Sequence, residues 1–166
     1  MEKSRALKII GIDASTSRTG LSLFQNGKLI EYKVVDLKKI KNADVRVPQM
    51  MVAIADILKE WDGDVLFVED SWSAVNVEVT KMLSNVLGAI MYICERTGCG
   101  FNKFRPNEWR KVIGLPLGKK KRNELKAEAI QYVKETYGLD LADDEAEAIC
   151  IGEAASIVTE NGDIFT

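Results

Sequence analysis

Leu7–Gln25 reads LKIIGIDASTSRTGLSLFQ, and this stretch decides the fold. Leu7 to Asp13 is a short apolar run ending in a carboxylate, the pattern of a buried strand. Ala14 to Gly20 is small and polar, a turn. Leu21 to Gln25 alternates as a strand does, Asn26-Gly27 is a hairpin dipeptide, and Lys28 to Val35 pairs back. Three consecutive antiparallel strands are therefore expected.

Working outward, Pro48 suits the first turn of a helix, and Met50, Ile54, Ile57, Leu58 and Trp61 recur at helical spacing. Asp62-Gly63-Asp64 breaks that helix. Val65 to Val68 is a second buried strand, and it too ends in acids, Glu69 and Asp70. A long helix is expected over Ala74 to Arg96, a fifth strand over Phe101 to Phe104, and a short helix over Asn107 to Ile113. Gly114 to Gly118 is a loop. Lys121 to Tyr137 is an amphipathic helix closed by Gly138, and Asp143 to Val158 is the last helix. The order defines an α/β chain, a single domain over 1–166, with a five-stranded mixed sheet: three antiparallel strands, then parallel crossovers, flanked by helices.

Hydrophobic residues make up 46% and charged residues 29%, enough for one core. No apolar run approaches the roughly 20 residues of a bilayer span, and the charged N-terminus has no signal-peptide pattern. Cys94, Cys99 and Cys150 are odd in number and read as reduced thiols of a cytoplasmic protein. The chain has no histidine. That excludes Ser-His-Asp and Cys-His catalysis and any His-ligated metal. Metal chemistry must then use oxygen ligands, which suit Mg²⁺ or Mn²⁺.

Net charge is −2, but it is unevenly spread. Lys103 to Lys126 holds nine basic residues against Glu108 and Glu124, so this segment carries +7 and the remainder −9. Phosphate affinity follows such local patches. Within it, Lys119, Lys120, Lys121 and Arg122 follow a Gly-bearing loop and open a helix, whose N-terminal amides also favour phosphate. Arg105, Arg110 and Lys111 are further candidate DNA contacts. A charge run by itself is more often a solvated face.

Two buried strands end in acids, Asp13 and Glu69. If those strands are neighbours, the carboxylates converge at one sheet edge. The last helix adds Asp144 and Glu147, three residues apart, with Ala142, Ala146, Ile149, Cys150, Ala154 and Ile157 as its apolar side. Glu147 borders that side. Four such acids form an oxygen-only cage suited to two-metal phosphodiester hydrolysis. Taken singly, each acid has an ordinary reading as a loop start or a first-turn acid favoured by the helix dipole. The combination is what points to chemistry.

The segments IIGIDASTSRTGLSLF, VLFVEDSW, DDEAEAICIGEAA and FRPNEWRKVIG with GKKKRNELKAEAIQYV together resemble the RuvC family of Holliday-junction resolvases, especially its phage and prophage members, over nearly the whole chain. The resemblance implies an RNase H-like fold and four catalytic, metal-ligating acids at Asp13, Glu69, Asp144 and Glu147. Asp143 with Glu147 is the alternative register. Members often have Asp where this chain has Glu147. Also implied are Mg²⁺ (or Mn²⁺), two ions per site; branched DNA such as the four-way junction as substrate; and a homodimer with the Ala74–Arg96 helix as candidate interface. Trp72 would be a stacking aromatic, and one lysine of the basic arm would steady charge at the scissile phosphate. No membrane partner and no nucleotide cofactor are expected. Sugar-kinase and actin-like ATPases share GIDxxxxxxG, but they need two lobes. The alternatives kept open are an RNA-processing nuclease of the YqgF type and a non-catalytic branched-DNA-binding module.

Overall fold

The computed structural model describes residues 5–70 and 76–162. Its five strands are β1 (Lys8–Asp13), β2 (Arg18–Gln25), β3 (Lys28–Asp36), β4 (Val65–Glu69) and β5 (Gly100–Phe104). They form one sheet in the order β3-β2-β1-β4-β5. β1 pairs antiparallel with β2, and β2 with β3. β4 runs parallel to both β1 and β5. The mixed sheet expected from the sequence is present. β2 begins at Arg18, inside the stretch expected to be turn. Thr19 is why: it pairs with Val35 while its hydroxyl donates to Ser15 O at 2.9 Å, shortening the turn.

Side chains alternate along β1 and β4 and so divide the core. Ile10, Ile12, Leu66 and Val68 face α1 (Ala43–Trp61) and α2 (Val77–Thr97). Ile9, Val65 and Phe67 face α3 (Pro106–Val112), α4 (Arg122–Tyr137) and α5 (Asp143–Glu160). Both faces of the sheet are therefore covered, as buried parallel strands require.

α1 starts five residues before Pro48. Asn42 caps it, its side-chain oxygen accepting from Asp44 N at 3.0 Å, and Pro48 sits within the helix. The cap outweighs the one backbone bond a proline removes. α2 is 21 residues long and meets the length and composition of a bilayer span, contrary to the expectation that no run does. Here its buried side, Val86, Ile90, Ile93 and Cys94, packs into the core.

α5 departs most from its expected form. The expected apolar stripe is instead nearly all-round burial: Ala146, Ala148, Ile149, Cys150, Ile151, Gly152, Ala154 and Ala155 are all inaccessible. The helix lies directly on β1 and β2. A Cβ built on Gly11 would stand 2.3 Å from Gly152 N, and one on Gly152 would stand 2.3 Å from Ser22 Oγ. A Cβ on Gly20 would meet Asp144 O at 2.1 Å. Ser22 Oγ donates to Ala148 O at 2.6 Å, fastening strand to helix. Three glycines and a serine thus set how close the acid-bearing helix comes to the acid-bearing strand.

Gly152→Ala is expected to destabilise the fold by about 1–3 kcal/mol through overpacking. Gly88→Ala, in an open part of α2 where an added Cβ meets nothing within 4 Å, should be neutral or gain up to about 1 kcal/mol from helix propensity. Denaturant unfolding of the two variants checks this, and equal effects would contradict the packing account.

Candidate active site

β1 and β4 are adjacent and parallel, with Ile12 opposite Val68, so their carboxyl ends emerge together. Asp13 and Glu69 follow directly. The first turns of α5 come alongside because of the close glycine contact. One cleft of about 450 Å³ is lined by Asp13, Glu69, Asp143, Asp144 and Glu147, together with Arg18, Lys38, Arg110, Arg122 and Lys126. The four acids singled out from the sequence are brought together. Asp143, the alternative register, lines the same cleft.

Each acid has a distinct partner. Glu69 Oε2 accepts from Trp109 Nε1 at 2.6 Å. Asp144 accepts from Arg18 at 2.6 Å, and the same guanidinium forks onto Glu145 at 3.0 Å and reaches Asp36 at 3.3 Å. Glu147 accepts from Arg110 at 3.4 Å. Asp143 is paired with Lys126. Asp13 and Glu147 share a hydrogen bond. Among the described residues, no three acids already converge on one point as a finished metal cage.

The crowding shows in the protonation equilibria. Burial pushes the Asp13 carboxyl well above the usual carboxylate range, and Glu147, Glu69 and Asp144 push it further. Burial likewise raises Glu147, helped by Glu69 and opposed by the hydrogen bond from Asp13 and the charges of Arg110 and Lys126. Burial raises Glu69 against the Trp109 bond and the Arg110 and Arg122 charges. Asp143 differs: burial opposes its ionisation, but the Lys126 bond and charge prevail and its carboxyl is lowered.

The basic residues sort differently from the sequence reading. Arg110 was expected as a phosphate contact, but it is 3% exposed. Its guanidinium stacks 4.2 Å from the Trp109 ring centre, donates to Leu125 O at 3.2 Å and pairs with Glu147. That is a brace under an acid rather than a surface cation. Lys120 is paired with Glu128. Lys121 and Arg105 occupy N-cap positions, their backbone N–H groups donating to the Glu124 and Glu108 carboxylates, both at 2.7 Å. Lys111, Lys119, Lys121, Arg105 and Arg122 are exposed, and of these Arg122 lines the cleft. Trp72 lies outside the described residues. Trp109 and Lys38, near the acids, were not singled out in the sequence; Lys126 was counted only as part of the basic run, and Arg18 was read as a backbone contact near the metal rather than as the triple ion pair found here.

Fold and site together define an RNase H-like domain with a carboxylate cleft at the carboxyl ends of two parallel strands. The family model described as crossover junction endodeoxyribonuclease RuvC matches residues 9–151, and the chain belongs to that family. A RuvC crossover junction endodeoxyribonuclease of Mycobacterium leprae is 25% identical over 112 residues, covering 64% of this chain and 60% of the relative's length. The RuvC of Thermus thermophilus in complex with Holliday junction substrate superposes with a TM-score of 0.75 at 18% identity, over 94% of this chain and 97% of that one. The fowlpox virus resolvase in complex with junction DNA superposes with a TM-score of 0.62 at 15% identity, over 93% and 99%. At these identities the likeness establishes the fold.

Because Asp13, Glu69 and Glu147 are raised in the folded chain, the folded state binds their protons more tightly than the unfolded one. The stability from that source is complete below the ordinary carboxylate range and is lost as pH rises through the raised values. At neutral pH the ionised cluster thus costs stability. Asp13→Asn is expected to raise Tm at pH 7 by several degrees, at about 2–4 °C per kcal/mol for a domain of this size. The gain should vanish below about pH 4. Calorimetry across that range decides; a gain independent of pH would refute the electrostatic cause.

Proposed function

We propose that this chain is a divalent-metal-dependent endonuclease that nicks four-way DNA junctions and related branched DNA. The observation that carries the reading is the meeting of Asp13, Glu69, Asp144 and Glu147 in one cleft, in a chain of the RuvC family. The four acids would hold Mg²⁺ or Mn²⁺, two ions per site. The donor set fits: it is all carboxylate oxygen, and a cation relieves the repulsion that raises Asp13 and Glu147. Bound there, the ions supply Lewis-acid activation of the attacking water and the leaving oxygen. The chain supplies the rest. Trp109 fixes one oxygen of Glu69, and Arg110 fixes Glu147. Arg122 lines the cleft as a cation for the scissile phosphate, while Lys126 is held by Asp143.

Paired cuts across a four-way junction need two sites, and hence a homodimer. α2 offers the surface: Val77, Met91 and Tyr92 are exposed apolar residues on it, and Val45 and Val52 stand exposed on neighbouring α1. Such a patch supports a second copy as its cover.

A nicking assay on a synthetic four-way junction tests the reading. With millimolar Mg²⁺ we expect paired symmetric cuts, none with EDTA, and little cutting of linear duplex. Asp13→Asn should reduce cutting to the EDTA level while keeping junction binding. Binding without cutting by the wild type would favour a non-catalytic module, and preferential cutting of structured RNA would favour an RNA-processing nuclease. Tyr92→Glu should shift the mass by light scattering from dimer to monomer and abolish paired cutting.

A further inference from the structure

The sequence places every strong phosphate contact in the arm between Lys103 and Lys126. The structure commits several of those cations internally: Arg110 to Glu147, Lys120 to Glu128 and Lys126 to Asp143. Across the cleft, Arg18 is committed to Asp144, Glu145 and Asp36. The β3–α1 connection, by contrast, carries Lys38, Lys39 and Lys41 on exposed positions, and Lys38 lines the same cleft as the four acids.

This loop is held rigidly, and it is held to the catalytic turn. Leu37 N donates to Ser17 O at 2.8 Å, and Ile40 N to Leu37 O at 3.0 Å. Arg46, from the first turns of α1, donates to Thr16 O at 3.0 Å, to Ile40 O at 2.9 Å and to Lys41 O at 3.2 Å. One guanidinium thereby ties the loop to the turn that follows Asp13. Lys38 N donates to Asp36 Oδ1 at 3.0 Å, and Lys41 Nζ donates to Lys38 O at 3.0 Å. Asp36, the acid beside Lys38, is already engaged by Arg18. An arginine used wholly to position backbone carbonyls leaves a fixed platform with Lys38 in the cleft lining, Lys39 exposed beside it and Lys41 folded back onto the Lys38 carbonyl.

We propose that the β3–α1 loop is a second phosphate-binding rim, with Lys38, Lys39 and Lys41 contacting backbone phosphates of the DNA strand that enters the cleft, opposite the basic arm. This rests on the reading of the cleft as a DNA nuclease site. Rigid placement next to Asp13 gives these lysines a positioning role that a solvated charge run lacks, because the phosphates they hold are neighbours of the one at the acids.

The test is junction binding in EDTA, where no cutting intervenes, measured against salt concentration. The wild type is compared with Lys38→Gln/Lys39→Gln/Lys41→Gln, with an arginine triple at the same positions, and with a control triple, Lys28→Gln/Lys59→Gln/Lys134→Gln. The control residues are exposed and lie outside the cleft lining. We expect the glutamine triple to flatten the plot of log affinity against log salt by about 2–3, near 0.9 per lost contact. Its affinity near physiological salt should fall at least tenfold, the arginine triple should restore both, and the control should change neither. A slope unaltered by the glutamine triple, or altered equally by the control, overturns the rim while leaving the nuclease reading standing. Absence of salt-dependent junction binding in the wild type would remove both.

Discussion

The structure depends on one contact: backbone of α5 against backbone of β1 and β2 with no side chain between them. Gly11 faces Gly152, Gly20 faces the Asp144 carbonyl, and Ser22 bonds to the Ala148 carbonyl. A β-carbon at any of the three glycines would push the helix outward, since each would come closer than 2.5 Å to a neighbouring heavy atom. Asp144 and Glu147 ride on that helix, and Asp13 ends the strand beneath it. Helix-to-strand spacing and carboxylate-to-carboxylate spacing are therefore the same quantity. The small residues of α5 give up side-chain burial in exchange for proximity, and Ile149 and Ile151 restore apolar contact on its flanks.

Proximity brings acids together at a cost in repulsion, and the surroundings of the cleft answer it unevenly. Cations are placed behind the acids rather than among them. Arg18 takes Asp144 and Glu145, Arg110 takes Glu147, and Lys126 takes Asp143. Asp13 has no cation within ion-pair distance among the described residues and is instead raised by burial and by its neighbours. The Trp109–Arg110 pair deserves its place for a related reason: one ring anchors Glu69 through its N–H and supports through its face the guanidinium that anchors Glu147. Two acids from different elements are set by two consecutive residues of α3.

What the sequence disclosed followed from local pattern. Apolar runs ending in Asp13 and Glu69 were readable because strand burial and strand termination are both local, and the Asn26-Gly27 hairpin fixed the direction of the return. The sheet order then made their convergence a matter of topology. What stayed hidden depends on tertiary approach. Arg110 looks like its neighbours in a basic stretch, and only the packing of α3 beneath α4 and α5 shows that it is internal. The all-round burial of α5 escaped because small residues carry almost no periodic hydrophobic signal. The start of α1 was misplaced because Pro48 is a louder signal than a lone Asn42, although the cap determines where the helix begins.

The charge pattern carries a more general consequence. A chain of net charge −2 that is to meet a polyanion, as proposed, would have to separate its signs in space rather than in sequence. Here the separation is by depth. Acids and the cations paired with them line the cleft, while exposed lysines stand on two connections: Lys119 and Lys121 before α4, and Lys38, Lys39 and Lys41 before α1. Both connections lead into capped helices, by the Glu124 carboxylate accepting from Lys121 N in one case and by Asn42 in the other. Capping fixes the loop ends, so the exposed amines keep a fixed relation to Asp13 and Glu147. Whether a basic residue here is exposed or internally paired depends on tertiary packing, as Arg110 and Lys120 show. Its position in a run of lysines is a poor guide to either property.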